Sequence, residues 1–116
     1  MHEAYLARCI LEKTLGSLPP ANAPGSVIRV TVRIGRLDAV VPHSLLTMFD
    51  AQKAEFDLPA AQLCILEEDV RITCRACGEI STLDTPDFIC LHCGSRSNSI
   101  VSGKGIILTE LTLSDD

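Results

Sequence analysis

Aromatic residues are scarce in this sequence of 116 residues, which has no tryptophan, one tyrosine and three phenylalanines. Basic residues are few as well, since 10 lysines and arginines face 15 acidic residues and the net charge is −5. Proteins that bind nucleic acid usually present a basic surface with aromatic side chains on which bases stack. The composition therefore argues against nucleic acid as a partner, and the acidic charge argues against an anionic membrane surface.

Long apolar runs are absent too. No stretch reaches the roughly 18 apolar residues that a membrane-spanning helix needs, and His2 and Glu3 stand where a secretory signal would have a basic segment. The sequence therefore predicts a protein of the cytoplasm, where thiols stay reduced and disulfides are rare. The six cysteines are thus expected to be metal ligands or core residues.

The spacing of apolar residues predicts two helices, over residues 3–18 and about 43–55, and three strands, over 27–34, 61–68 and 106–113. In the first helix, Ala4, Ala7, Leu11, Leu15 and Leu18 lie on one stripe. In the first strand, Ile28, Val30, Val32 and Ile34 face one side. The second strand contains a continuous apolar run, residues 63–66, which is typical of a strand covered on both faces.

The segment 71–103 differs from the rest of the chain, because it holds too few large apolar residues to bury a core. It therefore needs a cross-link or a bound metal ion to stay folded. Two Cys-x-x-Cys pairs, Cys74 with Cys77 and Cys90 with Cys93, are each followed directly by a glycine. Two such turns can direct four thiolates at one tetrahedral centre, which Zn(II) prefers in a reducing compartment. The spacing therefore predicts a structural zinc ion on these four cysteines.

Other interpretations of the cysteines are weaker. The same geometry can hold iron, which spacing alone does not separate from zinc. His92 lies inside the second pair and could replace a cysteine, but four available cysteines favour a solvated histidine. A closed site of four thiolates leaves no open position for catalysis. Cys9 and Cys64 fall within a predicted helix and strand, where a small buried apolar side chain is the simpler interpretation.

The chain starts Met1-His2-Glu3. The terminal amine, the His2 amide and the His2 imidazole can chelate one ion, and the Glu3 amide can complete a plane of four nitrogens, which suits Ni(II) or Cu(II). The Glu3 carboxylate is available if the site becomes six-coordinate, and Asp38 and His43 are candidate additional ligands. Taken alone, however, His2 is more often a disordered terminal residue, Asp38 a turn residue and His43 a helix-start residue.

Together these features resemble the HypA/HybF family of nickel metallochaperones, which serve NiFe-hydrogenase maturation. The resemblance is carried by the Met1-His2-Glu3 start running into a helix, by the Val-x-Val-x-Ile-Gly strand at 30–35, and by the paired cysteine motifs ending Cys93-Gly94. It covers essentially the whole chain in the same order. The sequence departs from the common pattern where many members carry serine near Asp38 and glutamate near His43.

The resemblance implies an α+β fold, a small three-stranded sheet with two helices plus an inserted zinc-ribbon-like domain with four cysteines. On this basis residues 1–69 and 104–116 are expected to form a discontinuous nickel-binding domain. Residues 70–103 are expected to form the zinc-binding domain inserted before the last strand.

The resemblance also implies a function without catalysis. Ni(II) is expected on the Met1 amine, His2 and Glu3, and Zn(II) on the cysteines. The implied partners are a nickel-handling GTPase and the precursor of the hydrogenase large subunit, with urease served by some members. The protein itself is expected to be a monomer or a homodimer.

Two rival functions stay open at the level of sequence. The first is a zinc-ribbon interaction or regulatory module in which His2 is incidental, and nickel stoichiometry separates it from a nickel carrier. The second is a fragment of a metalloenzyme. Against an enzyme, the sequence has no nucleophile–base motif, no glycine-rich phosphate loop and no His-Glu-x-x-His pattern.

Overall fold

The computed structural model describes residues 2–85 and 87–114. The helices are α1 (Glu3–Ser17) and α2 (Pro42–Gln52), and the strands are β1 (Val27–Gly35), β2 (Gln62–Glu68), β3 (Val70–Cys74), β4 (Ile80–Leu83), β5 (Asn98–Ser102) and β6 (Ile106–Leu113). The strands form two three-stranded sheets, in the orders β2-β1-β6 and β4-β3-β5. The predicted α+β class, with two helices, a small three-stranded sheet and a four-cysteine insert, is confirmed. Neither helix of the described chain is long and apolar enough to cross a membrane.

Helix α1 begins directly after His2 and ends at Ser17, where Pro19 and Pro20 prevent its continuation. Its buried side chains are those of Glu3, Ala7, Ile10, Leu11 and Thr14. Ala4 was predicted on the buried stripe and is exposed. The buried face was misplaced because it includes two polar residues, and apolar spacing alone cannot indicate polar side chains whose hydrogen bonds are made inside the protein.

The contacts between residues divide the chain into two compact units. The first comprises Met1–Arg33, Val40–Leu66 and Ile107–Asp116, and the second comprises Ile34–Ala39 and Glu67–Ile106. In the first unit α1 packs against α2, and its fully buried side chains include Leu11, Val30, Val32, Leu45 and Phe49.

Two sequence predictions about the first sheet were wrong. Ile28 is 42% exposed, whereas Val27, the first residue of β1, is buried in its place. Leu66 is 50% exposed, so β2, which lies at the edge of the sheet, is not covered on both faces along its whole length. A continuous apolar run thus indicated a strand but not a central position.

In the second unit β3 lies between β4 and β5 and pairs with both in antiparallel fashion. Its small core consists of Val70, Ile72 and Leu83, against which Leu37 and Phe88 pack. Such a core is too small to hold a fold by apolar burial alone, so this unit depends on another source of stability.

Two glycines of the second unit allow the backbone to approach itself closely. The Leu37 N–H donates to the Gly103 carbonyl at 2.9 Å, and a Cβ placed on Gly35 would lie only 2.1 Å from that same carbonyl group. Gly103 has a φ of +96°, and a Cβ there would lie 2.5 Å from the Val70 Cα. Both positions therefore require glycine.

Gly35→Ala is expected to lower the free energy of unfolding by at least about 2 kcal/mol, because its methyl group meets backbone that cannot rotate away. Gly16→Ala is the matched control, since that glycine lies in α1 with no atom within 4 Å of its Cβ position. The control is expected to gain about 0.5 kcal/mol or more. Thermal unfolding of both variants checks this pair, and equal melting temperatures would contradict it.

Candidate metal centres

The four predicted zinc cysteines converge on one point of the second unit. Cys74 ends β3, and its Sγ lies 3.6 Å from the Sγ of Cys93. The Sγ atoms of Cys77 and Cys90 are also 3.6 Å apart, and all four sulfurs lie within 4.8 Å of one another. Four sulfurs about 2.3 Å from a tetrahedral zinc would be about 3.8 Å apart. The donor set therefore fits a tetrahedral thiolate site.

The two Cys-x-x-Cys turns repeat one backbone arrangement. The Gly78 N–H donates to the Cys74 carbonyl, and the Cys74 N–H donates to the Glu79 carbonyl, both at 2.9 Å. The second turn repeats both bonds at the same length, with Gly94 and Cys90 in the equivalent positions. The glycines have φ values of +81° and +77°, which other residues rarely adopt. The glycine after each pair thus closes the turn around the sulfurs.

Burial separates the sulfurs into two pairs. The inner pair, Cys74 and Cys90, is 2% exposed, whereas the outer pair, Cys77 and Cys93, is exposed. Backbone amides point at the inner sulfurs. The Cys77 amide donates to Cys74 Sγ at 3.4 Å and is the largest cause that holds the pKa of Cys74 below its usual value. The Cys93 amide acts in the same way on Cys90 and lowers its pKa to about 6.

The outer pair behaves in the opposite sense. At Cys77 the largest influence, a hydrogen bond from the Glu79 amide, acts downward, but lost hydration and the neighbouring sulfurs outweigh it and raise the pKa to about 12. At Cys93 a bond from the Ser95 amide also acts downward, and the neighbouring sulfurs again raise the pKa. A metal-free cluster at neutral pH therefore carries protons on its outer pair.

Zinc affinity is expected to rise with pH. Zinc requires four thiolates, so binding near neutral pH must displace at least the protons of the outer pair, and the zinc affinity should rise with pH. Below about pH 6 the Cys90 thiol takes up a proton as well, and the dependence becomes steeper. Competition with a chromophoric chelator across this range measures the slope. A flat profile would contradict the assignment of protons to the outer pair.

The predicted nickel residues lie at the start of α1. Met1 is outside the described residues. His2 is exposed and is the N-cap of α1, and its carbonyl accepts the Leu6 N–H at 2.8 Å. Glu3 is only 6% exposed, and its Oε2 accepts the Val41 N–H at 3.1 Å. That bond is the largest cause that holds the pKa of Glu3 below its usual value.

The two candidate additional ligands have different surroundings. Asp38 belongs to the second unit, and its Oδ2 accepts the Gly105 N–H at 2.8 Å. His43 is exposed in the first turn of α2. Across residues 2–85 and 87–114, the cysteine cluster is the one group of three or more His, Cys, Asp or Glu ligand atoms close enough to share an ion.

Comparison with known proteins decides the family. The family described as "Hydrogenase/urease nickel incorporation, metallochaperone, hypA" matches residues 1–113. The chain belongs to the HypA family. It is 34% identical over 115 residues to the hydrogenase maturation factor HypA of Desulfosudis oleivorans, covering 99% of this chain and 100% of the relative. It is 32% identical over 116 residues to HypA of Aquifex aeolicus, covering 100% of both chains.

Solved HypA structures share the fold. The solution structure of the Ni metallochaperone HypA from Helicobacter pylori superposes with a TM-score of 0.63 at 23% sequence identity and covers 100% of both chains. The solution structure of a second HypA protein gives a TM-score of 0.62 at 22% identity, covering 98% of this chain and 93% of that chain. As a HypA metallochaperone, the chain is an accessory maturation factor and not an enzyme.

Sequence reasoning missed the residues that support the second cysteine turn of this HypA-family chain. The Ser81 hydroxyl, 2% exposed, accepts the Leu91 N–H at 3.1 Å. The Asn98 amide donates to the Phe88 carbonyl at 2.7 Å. A signal existed for Ser81, because it alternates with buried Leu83 along β4 and so shares the inward face.

The remaining thiols and the His92 side chain are not members of the four-cysteine cluster. Cys9 and Cys64, predicted as buried side chains, are half-buried free cysteines of the first unit. His92 is exposed, and its backbone N–H donates to Cys90 Sγ at 3.4 Å. The four predicted cysteines thus form the cluster without these three residues.

Proposed function

We propose that this chain is a nickel metallochaperone that binds one Ni(II) at its amino terminus and delivers it during maturation of NiFe-hydrogenase or urease. The observation that carries the proposal is the match to the hydrogenase/urease nickel incorporation family over residues 1–113, which includes the Met1-His2-Glu3 start. The chain works in the cytoplasm with a nickel-handling GTPase and the hydrogenase large subunit precursor, as a monomer or a homodimer.

The nickel donors are the Met1 amine, the His2 amide and imidazole, and the Glu3 amide. Two observations support this set. His2 is exposed at the N-cap, where a metal can reach it. Glu3 is the first helical residue, so its amide directly follows the His2 donors along the backbone. A plane of four nitrogens suits Ni(II), and selection against Cu(II) must come from delivery and geometry rather than affinity.

Of the two outer candidates, His43 is the better nickel ligand. Its exposed imidazole lies in the first turn of α2, two residues after Val41, whose amide is bonded to Glu3. The Asp38 carboxylate already accepts the Gly105 N–H through Oδ2, so part of its capacity to bind a metal is in use.

A resident Zn(II) completes the proposal, held by Cys74, Cys77, Cys90 and Cys93. The sulfur distances and the repeated turn geometry support it. When bound, the ion supplies four strong bonds and no open coordination position, so its role is structural. The amides that point at the inner pair favour the thiolate form that zinc requires.

Nickel titration by calorimetry, with metal analysis, tests the proposed function. The untagged zinc-loaded protein is expected to hold one zinc and one further nickel, and His2→Ala is expected to lose the nickel site. His92→Ala is the matched control, because it removes another exposed histidine and should leave nickel binding intact. Zinc without any nickel binding that depends on His2 would instead identify a zinc-stapled interaction module.

A further inference from the structure

The first turn of α1 is hydrogen-bonded to both ends of α2. At one end, the N–H of Val41, the N-cap of α2, donates to Glu3 Oε2 at 3.1 Å. At the other, the side-chain amide of Gln52, the last residue of α2, donates to the Ala4 carbonyl at 3.0 Å. We call these four residues the amino-terminal brace.

The brace supplies α2 with a cap that its own sequence lacks. The N-cap residue Val41 makes no side-chain capping bond, because valine has no acceptor. The Glu3 carboxylate provides an acceptor from another helix, and its negative charge complements the positive end of the α2 dipole. An apolar residue at position 3 would bury surface against α2, but it would not fix the rotation of the first turn as a directed hydrogen bond does.

This fixed rotation bears on the metal donors, because His2 immediately precedes the brace. Its carbonyl is bonded to the Leu6 N–H, so the peptide between His2 and Glu3 moves with the first turn. A planar set of consecutive nitrogens tolerates only small errors in position, and a site held by neighbouring contacts meets that tolerance best. The two bonds to α2 therefore orient the backbone on which the nitrogen donors lie.

We propose that the Glu3 carboxylate and the Gln52 side-chain amide are positioning groups of the nickel site, which hold the first turn of α1 in the orientation that nickel requires and contribute no donor atom themselves. The inference rests on the proposed nickel function and narrows it to a site made of nitrogens. Glu3 then has two roles, since its amide binds the metal and its buried carboxylate holds α2.

The carboxylate is a poor donor for a physical reason. Its Oε2 already accepts the Val41 N–H, and a metal bound at that oxygen would leave the buried Val41 donor without a partner, which costs free energy. The same reasoning gives the sign of each substitution. A side chain at position 3 that still accepts from Val41 preserves the site, whereas one that cannot accept weakens it.

The experiment is Ni(II) titration of the untagged, zinc-loaded full chain, with the visible absorption spectrum of the bound nickel recorded for each variant. Glu3→Ala and Gln52→Ala each remove one bond of the brace, whereas Glu3→Gln keeps a carbonyl acceptor for Val41 and removes only the charge. Thr47→Ala is the matched control, because the Thr47 hydroxyl on α2 bonds within its own helix, to the His43 carbonyl. Amide hydrogen exchange at Val41 reports the brace directly, without nickel.

Each alanine variant of the brace is expected to weaken nickel binding by about threefold to tenfold. Zinc content should stay unchanged, and exchange at the Val41 amide should accelerate in Glu3→Ala. Thr47→Ala is expected to stay within about twofold of the parent and to keep its spectrum. Glu3→Gln is expected to retain more nickel affinity than Glu3→Ala, because its side-chain carbonyl still accepts from Val41. Gln52→Ala, at a half-buried surface position, keeps the test decisive if Glu3→Ala folds poorly.

Two outcomes would overturn the positioning role. If Glu3→Ala and Gln52→Ala bind nickel as the parent does, the brace does not position the site. If Glu3→Gln loses as much affinity as Glu3→Ala and its spectrum changes, the carboxylate is itself a nickel donor. Failure of the proposed function is distinguishable from both, because the parent would then show no nickel binding that depends on His2.

Discussion

Cys74→Ala is expected to abolish stoichiometric zinc binding and to unfold the second unit, while the first unit keeps its helices. Cys74 belongs to the inner pair and ends β3, so its loss removes both a ligand and the anchor of the central strand. Structural zinc sites contribute roughly 10–16 kcal/mol of apparent binding free energy. The apolar core of Val70, Ile72 and Leu83 is too small to replace it.

Metal analysis and amide hydrogen exchange measure the two parts of this expectation. Protection should disappear from β3, β4 and β5 and persist in α1 and α2. Cys64→Ala is the matched control, because it removes a free thiol of the first unit that lies outside the cluster. One zinc per chain in Cys74→Ala, or loss of protection throughout the chain, would contradict the expectation.

Extending the chain by three residues, Gly-Ser-Gly, before Met1 is expected to abolish nickel binding at the amino terminus. The extension converts the amine into a peptide nitrogen and moves His2 away from the new amine, so the fused chelate rings no longer form. Removing a residue that merely supports a metal ligand lowers metal affinity by about 10- to 100-fold. The extension is expected to lower nickel affinity by more than that, because it removes a donor atom itself. A single added residue is unsuitable, because an amine, two amides and the imidazole would again surround one ion.

The same three residues added after Asp116 form the matched control and should leave nickel affinity unchanged. Zinc content should stay at one per chain in both extended proteins, since the cysteine cluster lies in the other unit. Calorimetric titration compares the three proteins. Unchanged nickel affinity in the amino-terminal extension would remove the Met1 amine from the donor set.

The long elements were predictable because their periodicity is strong. The predicted first helix, 3–18, is Glu3–Ser17, and the predicted last strand, 106–113, is Ile106–Leu113. The sheet β4-β3-β5 was not predicted strand by strand. Its strands have only four or five residues, and the turns held by the cysteines, rather than apolar alternation, define where those strands end.

The candidate metal sites also contain features that the sequence predicts and features that it does not. The four cysteines were predictable because each pair is local in sequence and thiol chemistry restricts the metal. The bond from Val41 to Glu3 was not predictable, because it joins residues 38 positions apart and a glutamate after His2 gives no signal of burial. The predicted burial of Ile28 and Leu66 was wrong for a related reason, since periodicity indicates a face of a strand but not what lies against that face.

The contact between the two ends of the cysteine insert affects the order in which the chain folds. The Ser102 hydroxyl donates to the Asp69 carbonyl at 3.0 Å across 33 residues of sequence, and the Gly103 N–H donates to Glu68 Oε1 at 2.9 Å. Closing a flexible loop of that length costs about 3 kcal/mol of chain entropy. Pairing of β6 with β1 therefore has a high entropic barrier until the insert has folded. Zinc bound to the four cysteines would close the insert first, and β6 would then follow β2 as if after a short turn. We therefore expect the sheet β2-β1-β6 to form faster when zinc is supplied.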